Sequence, residues 1–290
     1  MTTLATHFAE REHLICSVAR LIEEDKSYWV GGGGEPLYVI LLAQRLYTPG
    51  VQYFTEDGVV SPQAMLPWDP LMTMVASRAG YRALQWGTMN TAGNFAQLGY
   101  IDIGILNTLQ VDRYGNVNST VLGPYEGGKG RRFGGPGGAD TIASQCWRTI
   151  LMTDQQKRKF VDHVDFISSP GFLEGPGARE ATGLPAGTGP WRVFTPWAMF
   201  GYEEQSRELM LMAISPFVTI DMVLSEMSFM PKMAKEIGTL APPTDDELTI
   251  IRSSLDVEGQ TTGRGQWIEL RDGKYTFAEI QGREEKSRGR

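Results

Sequence analysis

The chain has 290 residues, of which 41% are hydrophobic and 34 are glycine, so disordered and collagen-like chains are excluded. This length suits one large α/β domain or two closely joined lobes. Acidic residues outnumber basic ones by 34 to 27, a formal net charge of -7, which argues against a nucleic-acid partner. Two cysteines and three histidines without recognisable ligand spacing predict neither a disulfide framework nor a metal site.

The sequence predicts no export or membrane-spanning signal. The first residues lack a positively charged start followed by an apolar run, and no stretch of about 18 apolar residues occurs. We therefore predict no membrane partner and, with so little cysteine, a cytoplasmic setting. Beyond Asp256 the chain becomes polar and ends in a charged run, so we expect a main domain over 1–255 and a polar, solvated extension over 256–290.

The first predicted elements have the order of an α/β fold. Apolar residues at helical spacing predict an amphipathic helix over Phe8–Glu24. A short strand over Ser27–Val30 then leads into four glycines, Gly31–Gly34, and into a helix over Leu37–Leu46. This is the order strand, glycine turn, helix.

The next strand ends at a glutamate. The apolar segment Val51–Phe54 stops abruptly at the polar turn Thr55–Gly58, which marks the end of a strand. Glu56 therefore lies at the carboxyl end of a strand, where open α/β sheets expose their chemistry. Without further evidence, the default interpretation of Glu56 is an ordinary surface-loop glutamate.

The rest of the chain predicts strands, loops and one short helix. We predict strand over Tyr100–Val111, Asn116–Thr120, Ile150–Met152 and Val161–Ile167, and a short helix over Ala139–Cys146. Ser169–Pro190 is rich in Gly and Pro and predicts a loop, which is ordered only if a partner or the core holds it. The methionines of Met210–Met233 indicate adaptable core packing.

Two glycine clusters could bring backbone amides to a ligand. Gly32, Gly33 and Gly34 precede a helix, but their spacing is not that of a dinucleotide-binding loop, so a tight turn and a ligand-contacting loop both stay open. The cluster Gly134–Gly138 is more informative, because its amides can converge on one oxygen. A purely structural turn remains the alternative.

The histidines and cysteines, which could act as base or nucleophile, give weaker evidence for a site than the glycine clusters. His163 lies in an alternating segment, where an ordinary strand position explains it, and we assign no role to His7 or His13. A lone thiol such as Cys146 is more often a small buried hydrophobe than a nucleophile. Carboxylates remain as the candidates.

Four segments in sequence order carry a resemblance to a known family. They are Leu109–Thr120, Phe133–Asp140, Phe166–Phe172 and Glu174–Glu180. They are similar to the corresponding motifs in beta subunits of family I CoA transferases, those of the glutaconate CoA-transferase type. The resemblance is dense from about 112 to 190, looser from 28 to 100 and nearly absent after 253.

The resemblance implies a catalytic residue. Thr55–Gly58 falls on the family's glutamate site, which makes Glu56 the catalytic glutamate. Two positions depart from the family's pattern. Asp57 stands where the family shows a small or amide residue, and a carboxylate there could raise the pKa of Glu56 if it points inward. Pro136 replaces a small residue of the glycine loop and removes one N–H donor.

The resemblance also implies a reaction. The family's glutamate attacks an acyl-CoA and then carries CoA as a glutamyl thioester. The tetrahedral oxyanions on that route need preorganised donors. The candidates are the backbone amides of Gly137, Gly138 and Gly135, with Gly32, Gly33 and Gly34 as a further candidate loop for substrate or CoA.

The resemblance also implies the fold and the partners. We expect a three-layer α/β/α sandwich of the family I type over 1–255, an acyl-CoA and a carboxylic acid as substrates, and no bound cofactor. We expect a separate alpha subunit in an α2β2 or larger assembly. Alternatives on the same scaffold are an acyl-CoA hydrolase, a ring-cleaving hydrolase or a decarboxylase. The ring-cleaving and decarboxylating relatives typically lack the glutamate. A further alternative is a subunit that only scaffolds an active partner.

Overall fold

The computed structural model describes residues 3–31, 34–67 and 78–278. Its strands are β1 His7–Ala9, β2 Ser27–Val30, β3 Gln52–Phe54, β4 Ile103–Asn107, β5 Gln110–Val111, β6 Val117–Asn118, β7 Val121–Leu122, β8 Arg131–Arg132, β9 Arg148–Met152, β10 Pro190–Phe194, β11 Ala198–Tyr202, β12 Leu209–Ile214, β13 Lys232–Thr239, β14 Trp267–Arg271 and β15 Lys274–Phe277. Its helices are α1 Glu10–Ala19, α2 Glu35–Leu46, α3 Met89–Gln97, α4 Ala139–Gln145, α5 Ala178–Ala181, α6 Ile220–Ser225 and α7 Asp245–Ile250. A 3-10 turn over Glu126–Gly128 and a π-helical turn over Ile251–Leu255 complete them.

An eight-stranded sheet in the order β13-β12-β11-β10-β9-β4-β2-β3 forms the centre of the molecule. The strands from β10 to β3 are parallel, β11 is antiparallel to both of its neighbours, and β13 runs parallel to β12. Parallel strands that are covered on both faces are apolar throughout, which is why β2 and β4 read as short continuous hydrophobic runs. The carboxyl ends of the parallel strands all lie at the same end of this sheet.

Helices cover both faces of the sheet. Successive side chains of a strand point to opposite faces, so Tyr28 belongs to one core and Trp29 to the other. The first core contains the apolar residues of α1 and α2, and the second contains those of α3 and α4. The predicted three-layer α/β/α arrangement is confirmed.

The predicted elements before residue 60 are largely confirmed. The strand over Ser27–Val30 is observed as predicted, and α2 and β3 lie within two residues of their expected bounds. The first helix is shorter than the predicted Phe8–Glu24, because His7–Ala9 pairs with β14 as a strand before α1 begins.

The predicted strand over Val161–Ile167 is wrong. In the structure this segment is an irregular loop in which His163 is exposed. Side-chain contacts hold it instead of a strand ladder: Gln110 Nε2 and the amide of Gly123 both donate to Asp165, at 3.2 and 2.9 Å. Its alternation of apolar and charged residues therefore does not reflect a sheet position.

Part of the predicted C-terminal extension packs against the start of the chain. Strands β14 and β15 form a three-stranded antiparallel sheet with β1, and Ile268 is fully buried in the second core. The Asp256 carboxylate accepts hydrogen bonds from the amides of Gln260, Thr261 and Thr262. The charged run at 283–290 lies outside the described residues.

Candidate active site

A tight turn presents Glu56 at the carboxyl end of β3, one of the two edge strands of the sheet. The amide of Gly58 donates to the Thr55 carbonyl at 3.0 Å, and the amide of Thr55 donates to the Val59 carbonyl at 3.0 Å. Gly58 has φ +88°, and a Cβ atom there would lie 1.8 Å from the Thr88 carbonyl oxygen, so only glycine fits. Glu56 is half-buried at the tip of this turn, as the sequence predicts.

The second glycine cluster lies directly against Glu56. Gly137 has φ +55°, and a Cβ atom on it would lie only 2.7 Å from Oε1 of Glu56. A Cβ atom on Gly138 would lie 3.8 Å from Cγ of the same glutamate. The fold therefore brings together two segments that are about 80 residues apart in the chain, and the absence of side chains on the loop leaves room for the carboxylate.

Asp57 turns back onto its own turn. The Thr55 hydroxyl donates a hydrogen bond to Oδ1 of Asp57, and the same hydroxyl oxygen accepts from the amide of Val59 at 3.1 Å. Thr55 is fully buried, so this bond holds the Asp57 carboxylate in place. The second carboxylate thus has its own partner within the turn.

The motifs that surround the glycine loop hold it in position. The amide of Gly135 donates to the Ser119 carbonyl at 3.1 Å, and the amide of Phe133 donates to the Thr120 carbonyl at 2.8 Å. Pro136 accepts a hydrogen bond from the amide of Ala139 at 2.9 Å, which starts α4. The Gly135 amide is therefore engaged in anchoring the loop, whereas Gly137 and Gly138 face Glu56.

Arg179 fixes the Gly- and Pro-rich loop to α4, a function that the sequence motifs did not predict. The side chain is 1% exposed and donates to the carbonyls of Pro170 and Gly171 at 3.0 and 2.9 Å. It also donates to the carbonyls of Ala143 and Ser144, at the end of α4, at 2.6 and 3.0 Å. Burial lowers the pKa of Arg179 to about 10, so it stays charged at neutral pH. Arg179 is the one basic residue of Ser169–Pro190, which is the signal that could have identified it.

Two glycines of the first cluster, Gly31 and Gly34, pack against other parts of the fold. Gly34 begins α2 with φ +74°, and the nearest atom to a Cβ there would be Cγ2 of Thr261, at 3.8 Å. Gly31 packs against β4, where a Cβ would lie 2.6 Å from a methyl group of Leu106. Gly32 and Gly33 lie outside the described residues, so their predicted contact with substrate or CoA stays a prediction.

The thiol and the buried imidazole are not available for chemistry. Cys146 is fully buried, and burial raises the pKa of its thiol. Burial lowers the pKa of His13 to about 3, so its ring is neutral and shares a 2.8 Å hydrogen bond with Ser215. In the described ranges, no group of three or more His, Cys, Asp or Glu side chains is arranged to hold a metal ion.

A cavity of about 430 Å³ lies beside Glu56, between α3 and α4. Helix α3 contributes Met89, Asn90, Gly93, Asn94 and Gln97, helix α4 contributes Thr141 and Gln145, and Trp29 of β2 completes the lining. Three atoms lie 3.8 Å from the position of a Cβ on Gly138: Cγ of Glu56, Sδ of Met89 and Cζ2 of Trp29. The cavity is therefore adjacent to the glutamate.

A sequence profile described as coenzyme A transferase matches residues 14–226. The chain belongs to the coenzyme A transferase family. It is 30% identical over 250 residues to the B subunit of 3-oxoadipate CoA-transferase from Pseudomonas knackmussii, covering 85% of this chain and 93% of that protein. It is also 30% identical over 258 residues to the B subunit of glutaconate CoA-transferase from Acidaminococcus fermentans, covering 87% of this chain and 94% of the relative.

Solved structures agree with this assignment. The crystal structure of glutaconate CoA-transferase from Acidaminococcus fermentans superposes with a TM-score of 0.79 at 27% identity, covering 88% of this chain and 97% of that one.

A more distant relative is a cholesterol ring-cleaving hydrolase IpdB subunit of Rhodococcus jostii, 27% identical over 52% of this chain and 58% of that protein. The chain thus resembles the B subunits of two-subunit enzymes. Over the part of the chain that is described, no helix is both long and apolar enough to cross a membrane.

Proposed function

We propose that this chain is the B subunit of an enzyme that moves CoA from an acyl-CoA to a carboxylic acid, with Glu56 as the nucleophile. The observation that carries the proposal is the position of Glu56 at the end of β3, against Gly137 and Gly138. The two relatives with 30% identity are both named CoA-transferases, which supports the same reaction type.

A glutamate can transfer CoA without releasing it to water. The Glu56 carboxylate attacks the thioester carbonyl, the C–S bond breaks, and a mixed anhydride and CoA thiolate form. The thiolate then attacks the glutamyl carbonyl, releasing the first acid and leaving a glutamyl-CoA thioester. The incoming acid attacks this thioester, and the same two steps run in reverse to give the new acyl-CoA and free Glu56.

Each of these steps passes through a tetrahedral oxyanion. Preorganised N–H donors at the developing charge are worth roughly 3 to 4 kcal/mol each in comparable enzymes. We assign this function to the backbone amides of Gly137 and Gly138, because their loop lies against the Glu56 carboxylate. No bound cofactor enters the scheme, and the CoA thioester is a substrate.

The assembled enzyme should form a covalent CoA adduct when the acceptor acid is withheld. With acyl-CoA alone, the first half-reaction proceeds to the glutamyl-CoA thioester and stops for want of an acid. Intact-protein mass spectrometry should then show this chain heavier by the mass of CoA less one water, and peptide mapping should place the adduct on the peptide that contains Glu56. Borohydride should reduce the thioester and inactivate the enzyme.

The same experiment tests the hydrolytic alternative. The likeness to a ring-cleaving hydrolase subunit motivates that alternative. A hydrolase that activates water would release free CoA continuously and leave the protein mass unchanged. Steady CoA release without an adduct would replace transfer by hydrolysis as the proposed reaction.

An exposed apolar surface borders the Glu56 turn and suggests a docking position for the alpha subunit. Tyr81, Leu84 and Trp86 are 44%, 75% and 57% exposed. Their segment is tied to the turn, since Leu84 and Gln85 exchange backbone hydrogen bonds with Val60 at 3.0 and 2.9 Å. Clustered exposed apolar side chains mark protein interfaces. We propose that the alpha subunit covers this surface in an α2β2 or larger assembly and excludes water from Glu56.

Replacing Leu84 and Trp86 together by serine should weaken the complex with the alpha subunit about tenfold or more, because buried aromatic anchors dominate interface energy. Co-expressed subunits analysed by size exclusion with light scattering measure this. Met230→Ser is the matched control, since Met230 is 72% exposed but lies before β13, away from this surface. Equal assembly by all three proteins, or full activity of this chain alone, would contradict the proposal.

A further inference from the structure

A fully buried asparagine, Asn118, closes a tight turn at the end of β6. Its side-chain oxygen Oδ1 accepts hydrogen bonds from the amides of Thr120 and Val121, at 2.9 and 3.2 Å. Its side-chain nitrogen Nδ2 donates to the Val121 carbonyl at 2.6 Å. Asparagine side chains that bond the backbone two and three residues further on fix the conformation of a turn. The directions of the carbonyls inside this turn therefore depend on Asn118.

The glycine loop is attached to the turn that Asn118 holds. Inside the turn, the Ser119 carbonyl accepts from the amide of Gly135 at 3.1 Å, and the Thr120 carbonyl accepts from the amide of Phe133 at 2.8 Å. Two residues beyond the first of these amides, the same loop meets the side chain of the proposed nucleophile. A displacement of the turn would therefore displace the amides that face the reacting carboxylate.

Two further side chains determine which way the Asn118 amide points. Nδ2 of Asn118 donates to Oε1 of Gln110 at 2.6 Å, and Nε2 of Gln110 donates to Oδ2 of Asp165 at 3.2 Å. A carboxylate can only accept, so Asp165 holds Nε2 of Gln110 and leaves Oε1 to accept from Asn118. If the Asn118 amide were turned over, its oxygen would face two acceptors, the Gln110 oxygen and the Val121 carbonyl. Only one orientation of Asn118 therefore satisfies these bonds.

Ser168 supports the same turn from a second segment of the chain. Its hydroxyl oxygen accepts from the amide of Ser119 at 2.9 Å, and it shares a 2.7 Å hydrogen bond with the Thr120 hydroxyl. Ser168 is 8% exposed, so water competes little for these bonds. The two residues whose carbonyls hold the glycine loop are thus fixed by side chains on both sides.

We propose that Asn118, oriented by Gln110 and Asp165, is a positioning residue that holds the glycine loop where its amides meet the oxyanion formed at Glu56. The inference rests on the proposed function and deepens it. Oxyanion donors are effective because they are already aligned before the charge develops. Loss of the Asn118 side chain should therefore slow the chemical step and leave the binding of acyl-CoA nearly unchanged.

The experiment measures formation of the glutamyl-CoA adduct in a single turnover of the assembled enzyme. In Asn118→Ala the maximal rate should fall about 100-fold, because a displacement of about 1 Å at a reacting group costs that much. The acyl-CoA concentration that gives half of this rate should change less than about threefold. Ser168→Ala removes fewer bonds to the turn and should show the same separation of rate from binding, with a fall of about tenfold.

Asn116→Ala is the matched control. Asn116 is also buried, and its Oδ1 accepts from the amides of Gly171 and Leu173, at 2.9 and 3.1 Å, in a different loop. Both asparagine variants should lose a few degrees of Tm, but the maximal rate of Asn116→Ala should fall less than about fivefold. Equal falls in the two variants would overturn the proposal. If Asn118→Ala does not assemble, an unchanged maximal rate in Ser168→Ala would overturn it.

Hydrogen exchange separates this proposal from the transferase proposal, because it requires no reaction. Amide exchange in the peptide that contains Phe133–Gly138 should be about tenfold faster in Asn118→Ala than in the wild type, and unchanged in Asn116→Ala. Faster exchange together with a wild type that forms no adduct would retain the anchoring function of Asn118 and reject transfer. Adduct formation in the wild type together with unchanged exchange in Asn118→Ala would retain transfer and reject the proposal.

Discussion

Glu56→Gln should reduce CoA transfer by about 10⁴-fold or more, because losing a covalent nucleophile removes the reaction route rather than one contact. The amide has nearly the same shape as the carboxylate but cannot form the anhydride or the glutamyl-CoA thioester. Glu56 is half-buried at the tip of a turn whose backbone bonds are made by Thr55, Gly58 and Val59, so folding should be unaffected. Circular dichroism, assembly with the alpha subunit and steady-state exchange kinetics together measure this.

Asp57→Asn provides the matched control, since it makes the same chemical change one residue further along the same turn. Asp57 accepts a hydrogen bond from the Thr55 hydroxyl, which an asparagine oxygen can also accept. We expect its exchange rate to stay within about tenfold of wild type. If Glu56→Gln kept more than a few per cent of activity, or if Asp57→Asn were the inactive variant, Glu56 would not be the nucleophile.

The sequence predicts the position of Glu56 because that position depends on local signals. An apolar strand that stops at a polar turn with glycine places Glu56 at the carboxyl end of β3. Gly58 is required there by its positive φ and by the nearby Thr88 carbonyl, and such a requirement is visible as a glycine in the sequence. The motif resemblance then indicates which of many loop glutamates matters.

Other parts of the site depend on contacts that no local pattern encodes. Helix α3 contains threonine, asparagine and a central glycine, all weak helix formers, so its sequence does not predict a helix. A Cβ on Gly93 would make only ordinary contacts, 3.7 Å from Thr141 and 4.0 Å from Trp29, so packing does not explain the glycine either. Trp29 reads as an ordinary buried strand residue, and only the three-dimensional packing shows that no described residue accepts a hydrogen bond from its indole N–H.

The loop Ser169–Pro190 is another segment whose structure depends on contacts that no local sequence pattern encodes. Its composition predicts a loop that is ordered only if a partner or the core holds it, and Arg179 holds it from within by donating hydrogen bonds to carbonyls of the loop and of α4. The order of this loop therefore gives no evidence for a partner chain. The expectation of a partner depends instead on the apolar surface beside the Glu56 turn and on the two-subunit relatives.

Gly137→Ala should lower kcat/KM for CoA transfer by about 100-fold or more while leaving the fold intact. A Cβ on Gly137 would lie 2.7 Å from Oε1 of Glu56, closer than two such atoms can approach, so the carboxylate or the loop must shift. A displacement of about 1 Å at a reacting group can cost 100-fold in rate. Steady-state kinetics of the assembled enzyme, with Tm as the measure of stability, tests this.

Gly183→Ala separates the steric effect from backbone strain. Gly183 has φ +86°, so alanine there meets a comparable left-handed strain of about 1–2 kcal/mol, but the Cβ would enter open space. Both variants should therefore lose a few degrees of Tm, and only Gly137→Ala should lose activity. Equal kinetics in the two variants would show that the loop tolerates a side chain beside Glu56, and would contradict a close approach of Gly137 to the reacting carboxylate.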